Sequence, residues 1–322
     1  MSGDVIITVT LNAALHVSYR AGRGEPREPV TPVSRPRYEA GGRGVAVARV
    51  LHKFGHDVLA AGLAGGAAGE LIVQDLARHG VPAEFTQIRA ESRRLFAFDE
   101  GGEVRRFAEP GPYITTEELG RFAADYRRTL ASAAAVVLCG SLPDGLPPDM
   151  YASLVRYAGE AGVPVVLDAG GEELVLAARG RPDLAVAEAK DGGAAQDLLR
   201  QGAAAAAVVS EGTVRVVTKS DHWTARLIAP APAPATPPRA AAPPTLSAPI
   251  TATTSPTSSL LPAATLDRGA LVAGLVPGEL LGWSWPDRLR HAMALAAAVA
   301  RSGGEPDLAT YESLLDHVTV TS

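Results

Sequence analysis

Cys139-Gly-Ser-Leu-Pro-Asp-Gly-Leu-Pro-Pro148 follows the apolar run 135–139 and precedes a helical pattern over 148–161. The run is short, small and β-branched, which predicts a buried strand. The Gly and Pro residues after it end that strand in a loop. A strand, a glycine loop and a helix in this order make the repeating unit of a parallel sheet. The loop then sits at the sheet edge, where ligands are bound.

The same unit recurs on both sides of this stretch. Upstream, residues 5–11 predict a buried strand bounded by Asn12. Residues 45–54 predict a helix capped by Gly55, and 58–63 a strand before a glycine loop and a helix over 70–79. Strands at 95–98 and 104–107 are joined by Asp99-Glu-Gly-Gly102, a hairpin signal. Residues 13–38 are rich in Arg and Pro and predict an exposed flap. Downstream, strands at 163–168, 184–187, 206–209 and 214–218 alternate with helices at 172–178 and 194–200. Helix 116–131 precedes the central strand, and helices at 270–275, 285–301 and 308–315 follow the rest. This alternation predicts an α/β fold with a mostly parallel sheet and helices on both faces. Residues 229–265 break it with Pro, Ala, Thr and Ser, a composition too poor in large apolar groups to offset ordering entropy. They are expected to form a disordered insertion within one domain covering 1–322, because the helices after them need the same sheet.

Composition narrows the function classes. The 322 residues are 47% hydrophobic and 20% charged, with a formal net charge of −5. Lys and Arg are scattered, so no basic face for nucleic acid is expected. Cys139 is the only cysteine, which excludes an intrachain disulfide or a cysteine-based zinc site, and no metal site is expected. No apolar run approaches a membrane span, and Met-Ser-Gly-Asp leads straight into a strand, so the expected location is cytoplasmic.

Several stretches carry chemistry. In Gly41-Gly-Arg-Gly-Val-Ala-Val-Ala-Arg-Val-Leu51 the glycines stand immediately before a helix, where backbone N–H groups favour an anion. Taken alone, this is as readily a glycine turn capping an ordinary helix. Thr10-Leu-Asn-Ala-Ala-Leu-His16 follows the first strand, and a lone histidine there is as a rule a solvated residue. Glu91-Ser-Arg-Arg-Leu-Phe96 opens a charged hairpin that continues through Arg105, Arg106 and Glu109-Pro-Gly-Pro112. Val165-Val-Leu-Asp168, Val208-Val-Ser-Glu-Gly212 and Thr265-Leu-Asp-Arg-Gly-Ala-Leu-Val-Ala-Gly274 complete the set.

In this order, these stretches resemble the motifs of the pfkB family of sugar and sugar-phosphate kinases, in the 1-phosphofructokinase and tagatose-6-phosphate kinase branch. The resemblance implies a ribokinase-like three-layer α/β/α fold with a small β-lid from about 12–38 and 91–107. It implies a phosphorylated sugar or similar small anion as ligand, and a homodimer formed through the lid. Asn12, His16, Gly41, Gly42, Arg43, Gly44, Arg93 and Ser141 fall on substrate-binding places. Asp191, Ser210, Gly212 and Gly269 fall on nucleotide-binding places, which here read as vestigial.

The departures are concentrated. The resemblance implies Gly-Ala-Gly-Asp at the catalytic helix, with glycine amides cradling the phosphate and the aspartate taking the sugar's proton; without a gap, Leu266, Asp267, Arg268 and Gly269 stand there. Asp267 is the one carboxylate left to act as base, two positions early, where a helix would turn it to another face. Ala46 replaces a sugar-binding Asn, His16 an Asp, and Arg43 a Lys. Lys-Pro-Asn-x-x-Glu, which positions magnesium and phosphates, falls on Val186-Ala-Glu-Ala-Lys-Asp191, and the second glycine of the nucleotide loop falls on Arg215. Losing a positioned base lowers rates by about 10²–10⁴, and losing the cradling amides by roughly as much again. The chain therefore reads as a sugar-phosphate kinase homologue whose ATP-dependent phosphoryl transfer is impaired or lost and whose anionic-sugar site is kept. Two alternatives stand beside it: an active hexose-phosphate kinase, using ATP and Mg²⁺ with Asp267 as displaced base, and a noncatalytic regulatory protein that binds a metabolite or partner.

Overall fold

Strands buried on both faces organise the molecule. In β1 (Val5–Thr10) five of six residues are buried, and in β8 (Ala133–Cys139) six of seven. Near-continuous apolar strands of this kind belong in the middle of a parallel sheet covered by helices. The computed structural model describes residues 5–21, 33–188, 193–210, 212–228, 266–304 and 307–322. The expected insertion at 229–265 lies outside them.

Between β1 and β8 in the chain come β2 (Ala14–Arg20), β3 (Arg37–Gly41), α1 (Arg43–Lys53), β4 (Val58–Gly65), α2 (Gly66–Arg78), β5 (Ala83–Ile88), β6 (Arg93–Glu100), β7 (Glu103–Ala108) and α3 (Thr116–Thr129). After β8 come α4 (Met150–Glu160), β9 (Val165–Asp168), α5 (Gly171–Ala178), β10 (Leu184–Glu188), α6 (Ala194–Gln201), β11 (Ala205–Ser210), β12 (Thr213–Thr218) and β13 (His222–Leu227). The chain ends with α7 (Arg268–Leu280), α8 (Trp285–Arg301), α9 (Leu308–Leu315) and β14 (Val318–Thr321). Ten strands form one sheet in the order β14-β13-β12-β11-β10-β9-β8-β1-β4-β5. Its pairs are parallel from β5 to β11 and antiparallel from β11 to β14. One face packs α1, α2, α7, α8 and α9, and the other α3 to α6. The ribokinase-like α/β fold expected from the sequence is thus present. Among the described residues, no helix is long and apolar enough to cross a membrane.

A second sheet, β3-β2-β6-β7, forms the lid. The expectation of an exposed flap over 13–38 is corrected here: Ala14, Leu15 and Val17 are buried, because β2 packs against the main core. The β-lid that the resemblance implied over about 12–38 includes this strand; the local pattern alone does not show it, because Arg and Pro around it mask its seven residues. β5, β13 and β14 were unanticipated, being edge or near-edge strands with polar residues among the apolar ones. The lid is tied down by Asp75 of α2, 1% exposed, whose carboxylate accepts from the Ala40 amide at 2.7 Å and pairs with Arg49 and Arg78.

The helix that carries the candidate site is the most enclosed. Gly269 to Gly278 of α7 are all buried, and α7 lies so close to α8 that a side chain on Gly274 would meet Ala292 Cα at 2.6 Å. Gly274→Val should therefore lower stability by about 1–3 kcal/mol or more through overpacking, read as an earlier midpoint in urea denaturation.

Below the sheet, His291 of α8 lies edge-on to Trp283 and Tyr311, and its Nδ1 is 2.6 Å from the Tyr311 hydroxyl. Burial, with a smaller contribution from His56, lowers its pKa from 6.5 to about 4. The unfolded chain takes up a proton in that interval that the folded chain refuses, so stability falls as pH drops from 6.5 to 4. The loss expected is on the order of 2–3 kcal/mol. His291→Phe should flatten this dependence when denaturation midpoints are compared between neutral and mildly acidic buffer.

Candidate functional site

The site forms where β1, β8, β9 and β10 end and α1 and α7 begin. Gly42 is the N-cap of α1 with φ at 114°, a conformation favouring glycine, and a side chain there would meet Thr10 Cγ2 at 2.6 Å. Gly41 belongs to β3 and lies against the His16 ring, leaving no room for a Cβ. Gly44 is pressed equally closely on Thr10. The helix opening is thus packed onto the end of β1 and fixed there.

A cavity of about 420 Å³ is lined by His16, Gly41, Gly42, Ala46 and Asp267, and extends along α1 past Arg49. His16 is held below the usual histidine range, first by desolvation; Glu39 opposes the shift, and Arg49 and Arg93 add to it. A neutral imidazole there offers one donor and one acceptor. Arg93 opens β6 opposite Ala14, and desolvation lowers its pKa as well. Its buried Nε has no hydrogen-bond partner among the described residues. Asn12 donates to the Ser141 hydroxyl at 3.2 Å, joining the loop after β1 to the loop after β8, while its own Oδ1 is unpartnered among those residues.

Arg43 departs from expectation. Its guanidinium turns to the end of β9, where Nη1 donates to Asp168 Oδ1 at 3.1 Å and to the Asp168 carbonyl at 3.4 Å. Asp168 is 0% exposed. The same Oδ1 accepts from Arg268 Nε at 2.8 Å and Nη2 at 2.6 Å. Arg268 also donates to Glu188 Oε2 at 3.0 Å and to the Val186 carbonyl at 3.2 Å. Two arginines therefore converge on one buried carboxylate, and the second bridges to the next strand.

Around Arg268, the opening of α7 is closed. Asp267 is its N-cap, with φ −74° and ψ 118°, and its carboxylate accepts from the Ala270 amide at 2.7 Å. The expectation that residue 267 would be turned away from 269 assumed helical dihedrals. The extended cap folds its Oδ1 back to 3.4 Å from where a Gly269 Cβ would stand. That Cβ would also lie 3.2 Å from Ala46 Cβ, so the two truncated positions face each other.

Of the residues expected on the nucleotide side, Gly269 lies here in α7, and Ser210 and Gly212 lie at a different strand end. Ser210 pairs with Thr213 across a tight turn containing Gly212, at the end of β11 and two strands from β9. Arg215 lies within β12 opposite Val208, so the expected loop has contracted to a hairpin. Asp191 lies outside the described residues. Sequence reasoning missed the Arg268 network. The signal was an arginine in a place where glycine amides are expected, with Asp168 already noted at the end of a neighbouring strand.

A parallel sheet under a β-lid, with a glycine turn and a buried helix opening meeting at the strand ends, defines a sugar-kinase fold. The chain belongs to the pfkB family of carbohydrate kinases, whose family model matches residues 3–221. It is 35% identical over 170 residues to a tagatose-6-phosphate kinase from Staphylococcus epidermidis. That match covers 53% of this chain and 54% of the relative, so the chain spans about half the length of the curated relatives it matches. In fold it is similar to a structure described as a possible 1-phosphofructokinase from Thermotoga maritima, with a TM-score of 0.77 at 23% identity, over 98% of this chain and 99% of that one. The tetrameric inhibited form of phosphofructokinase-2 from Escherichia coli gives a TM-score of 0.76 at 22% identity, over 98% and 99% of the two chains. The same enzyme in complex with fructose-6-phosphate gives 0.73 at 19%, again over 98% and 99%.

Removing the shared carboxylate should be damaging, because it strands two guanidiniums. Asp168→Asn is expected to lower stability by about 3 kcal/mol in chemical denaturation. Adding Arg268→Leu should restore part of that loss, since one of the stranded charges goes with it.

Proposed function

We propose that this chain binds a phosphorylated sugar and has lost, or nearly lost, ATP-dependent phosphoryl transfer. The observation that carries the reading is the opening of α7. Gly269 stands where the family's base is expected, Asp267 caps the helix, and Arg268 fills the approach in ion pairs with Asp168 and Glu188. Family chemistry implies ATP with Mg²⁺. A hard divalent cation needs free carboxylate oxygens, and a phosphate needs open amides. Here the carboxylates are paired to arginine and the cap carboxylate covers the Ala270 amide, so the residues present do not fit the metal–nucleotide complex.

The sugar side keeps what an anion needs. Arg93 is desolvated, its Nε has no hydrogen-bond partner among the described residues, and the glycine turn and the start of α1 adjoin the cavity beside His16. Residues 1–322 are read as one kinase-like unit, paired through the lid, with fructose or tagatose phosphates as the first ligands to try.

One observation favours a second reading. Asp267 lines the same cavity as His16 and Gly41, so a displaced base would stand beside a bound sugar.

Calorimetry separates the two. A sugar phosphate should bind, and ATP–Mg²⁺ weakly or not at all. Arg93→Ala should weaken the phosphorylated sugar by about 10–100-fold while barely changing the unphosphorylated one. Asp267→Asn should not weaken binding of the sugar phosphate, since it removes a negative charge from the cavity wall. Turnover of ATP with fructose or tagatose phosphate that Asp267→Asn abolishes would establish the second reading and defeat the first.

A further inference from the structure

The centre of this site already holds a cation, and it belongs to the chain. Asp168 closes β9 and Glu188 closes β10, adjacent parallel strands. Between them lies the Arg268 guanidinium, with Nη2 at 2.6 Å from Asp168 Oδ1, Nη1 at 3.0 Å from Glu188 Oε2 and Nη2 at 3.2 Å from the Val186 carbonyl. Two carboxylates and a main-chain carbonyl converging on one place form the oxygen set that a hard divalent cation takes. A second observation points the same way. Asp168 is fully buried, yet its Oδ2 has no hydrogen-bond partner among the described residues. A buried carboxylate oxygen in that state carries a desolvation penalty that the arginines on Oδ1 leave unrelieved, and an ion able to bridge both oxygens in place of Arg268 would relieve it.

We propose that Arg268 is a tethered cation occupying a divalent-metal site made by Asp168, Glu188 and the Val186 carbonyl. The charges balance with it in place: Arg43 and Arg268 against Asp168 and Glu188. Without Arg268, one negative charge is left over on two carboxylates at adjoining strand ends, with Arg43 still holding Asp168 Oδ1 in position. The guanidinium is held by groups from two strands and is 17% exposed, while Glu188 is 80% exposed and reaches in from solvent. A free ion competing for this place must displace a cation whose attachment to α7 makes it effectively ever-present. The wild-type site is therefore closed to metal, and truncating Arg268 opens it. The inference deepens the reading above by explaining why a metal nucleotide is refused. It rests on the carboxylate geometry and not on the sugar pocket.

The test is a manganese titration of the full chain, following the free Mn²⁺ signal by electron paramagnetic resonance. Wild type should remove no Mn²⁺ from solution. Arg268→Ala should take up about one equivalent, at least about tenfold more tightly than wild type. Mg²⁺ should displace it, and Arg268→Ala combined with Glu188→Gln should lose most of the gain. A folded Arg268→Ala that gains no metal shows that the arginine is only a structural latch and overturns the proposal. So does wild type binding Mn²⁺ in a manner that Glu188→Gln removes. Should Arg268→Ala fail to fold, Arg268→Gln, which keeps most of the length without the charge, is read in the same way. Sugar-phosphate calorimetry succeeding or failing changes none of these outcomes, so the two proposals fail separately.

Discussion

A single buried carboxylate oxygen holds the centre of this molecule together. Asp168 Oδ1 accepts from Arg43 at the start of α1 and from Arg268 at the start of α7, while its backbone ends β9. A charge with no exposure can be kept in a protein interior only if partners replace the water it has lost. Here the partners come from the two helices that open onto the site. The relative placement of strand end and helix starts is thereby set by charge as well as by packing. Everything nearby follows from that arrangement. Arg43 is drawn toward the end of β9, Arg268 lies across the approach to α7, and Asp267 is left at the cap.

The fold was legible because its main signals are local. Apolar β-branched runs, glycine loops and helical patterns alternate along most of the chain, and 285–301 and 308–315 were read at the bounds the structure shows. The lid over 12–38 was expected only through the family resemblance, because Arg, Pro and Glu mask β2 and β3 locally and their burial depends on contact with α2, which no local pattern reports. β13 and β14 pair with each other across more than ninety positions of chain, with residues 229–265 between them.

The candidate site was legible in its positions and less so in its bonds. His16, the glycine turn and Asp267 line one cavity. Their partners could not be read, because Arg43, Asp168, Glu188 and Arg268 are separated by long stretches of sequence and meet only through the parallel register of β9 and β10. A motif says where a side chain starts. Where a long, flexible arginine ends is decided by which buried charge most needs it.

The glycine turn belongs to two structures at once. Gly41 is the last residue of the lid strand β3, and Gly42 is the cap of α1. One peptide thus joins the end of the roof to the first turn of α1. Asp75 clamps Ala40, the residue just before it, to α2. A lid mounted this way cannot swing as a free door. Any rise or fall of β3 must twist the backbone amides that open α1 beside the cavity, so the roof and the floor of the pocket share one mechanical degree of freedom.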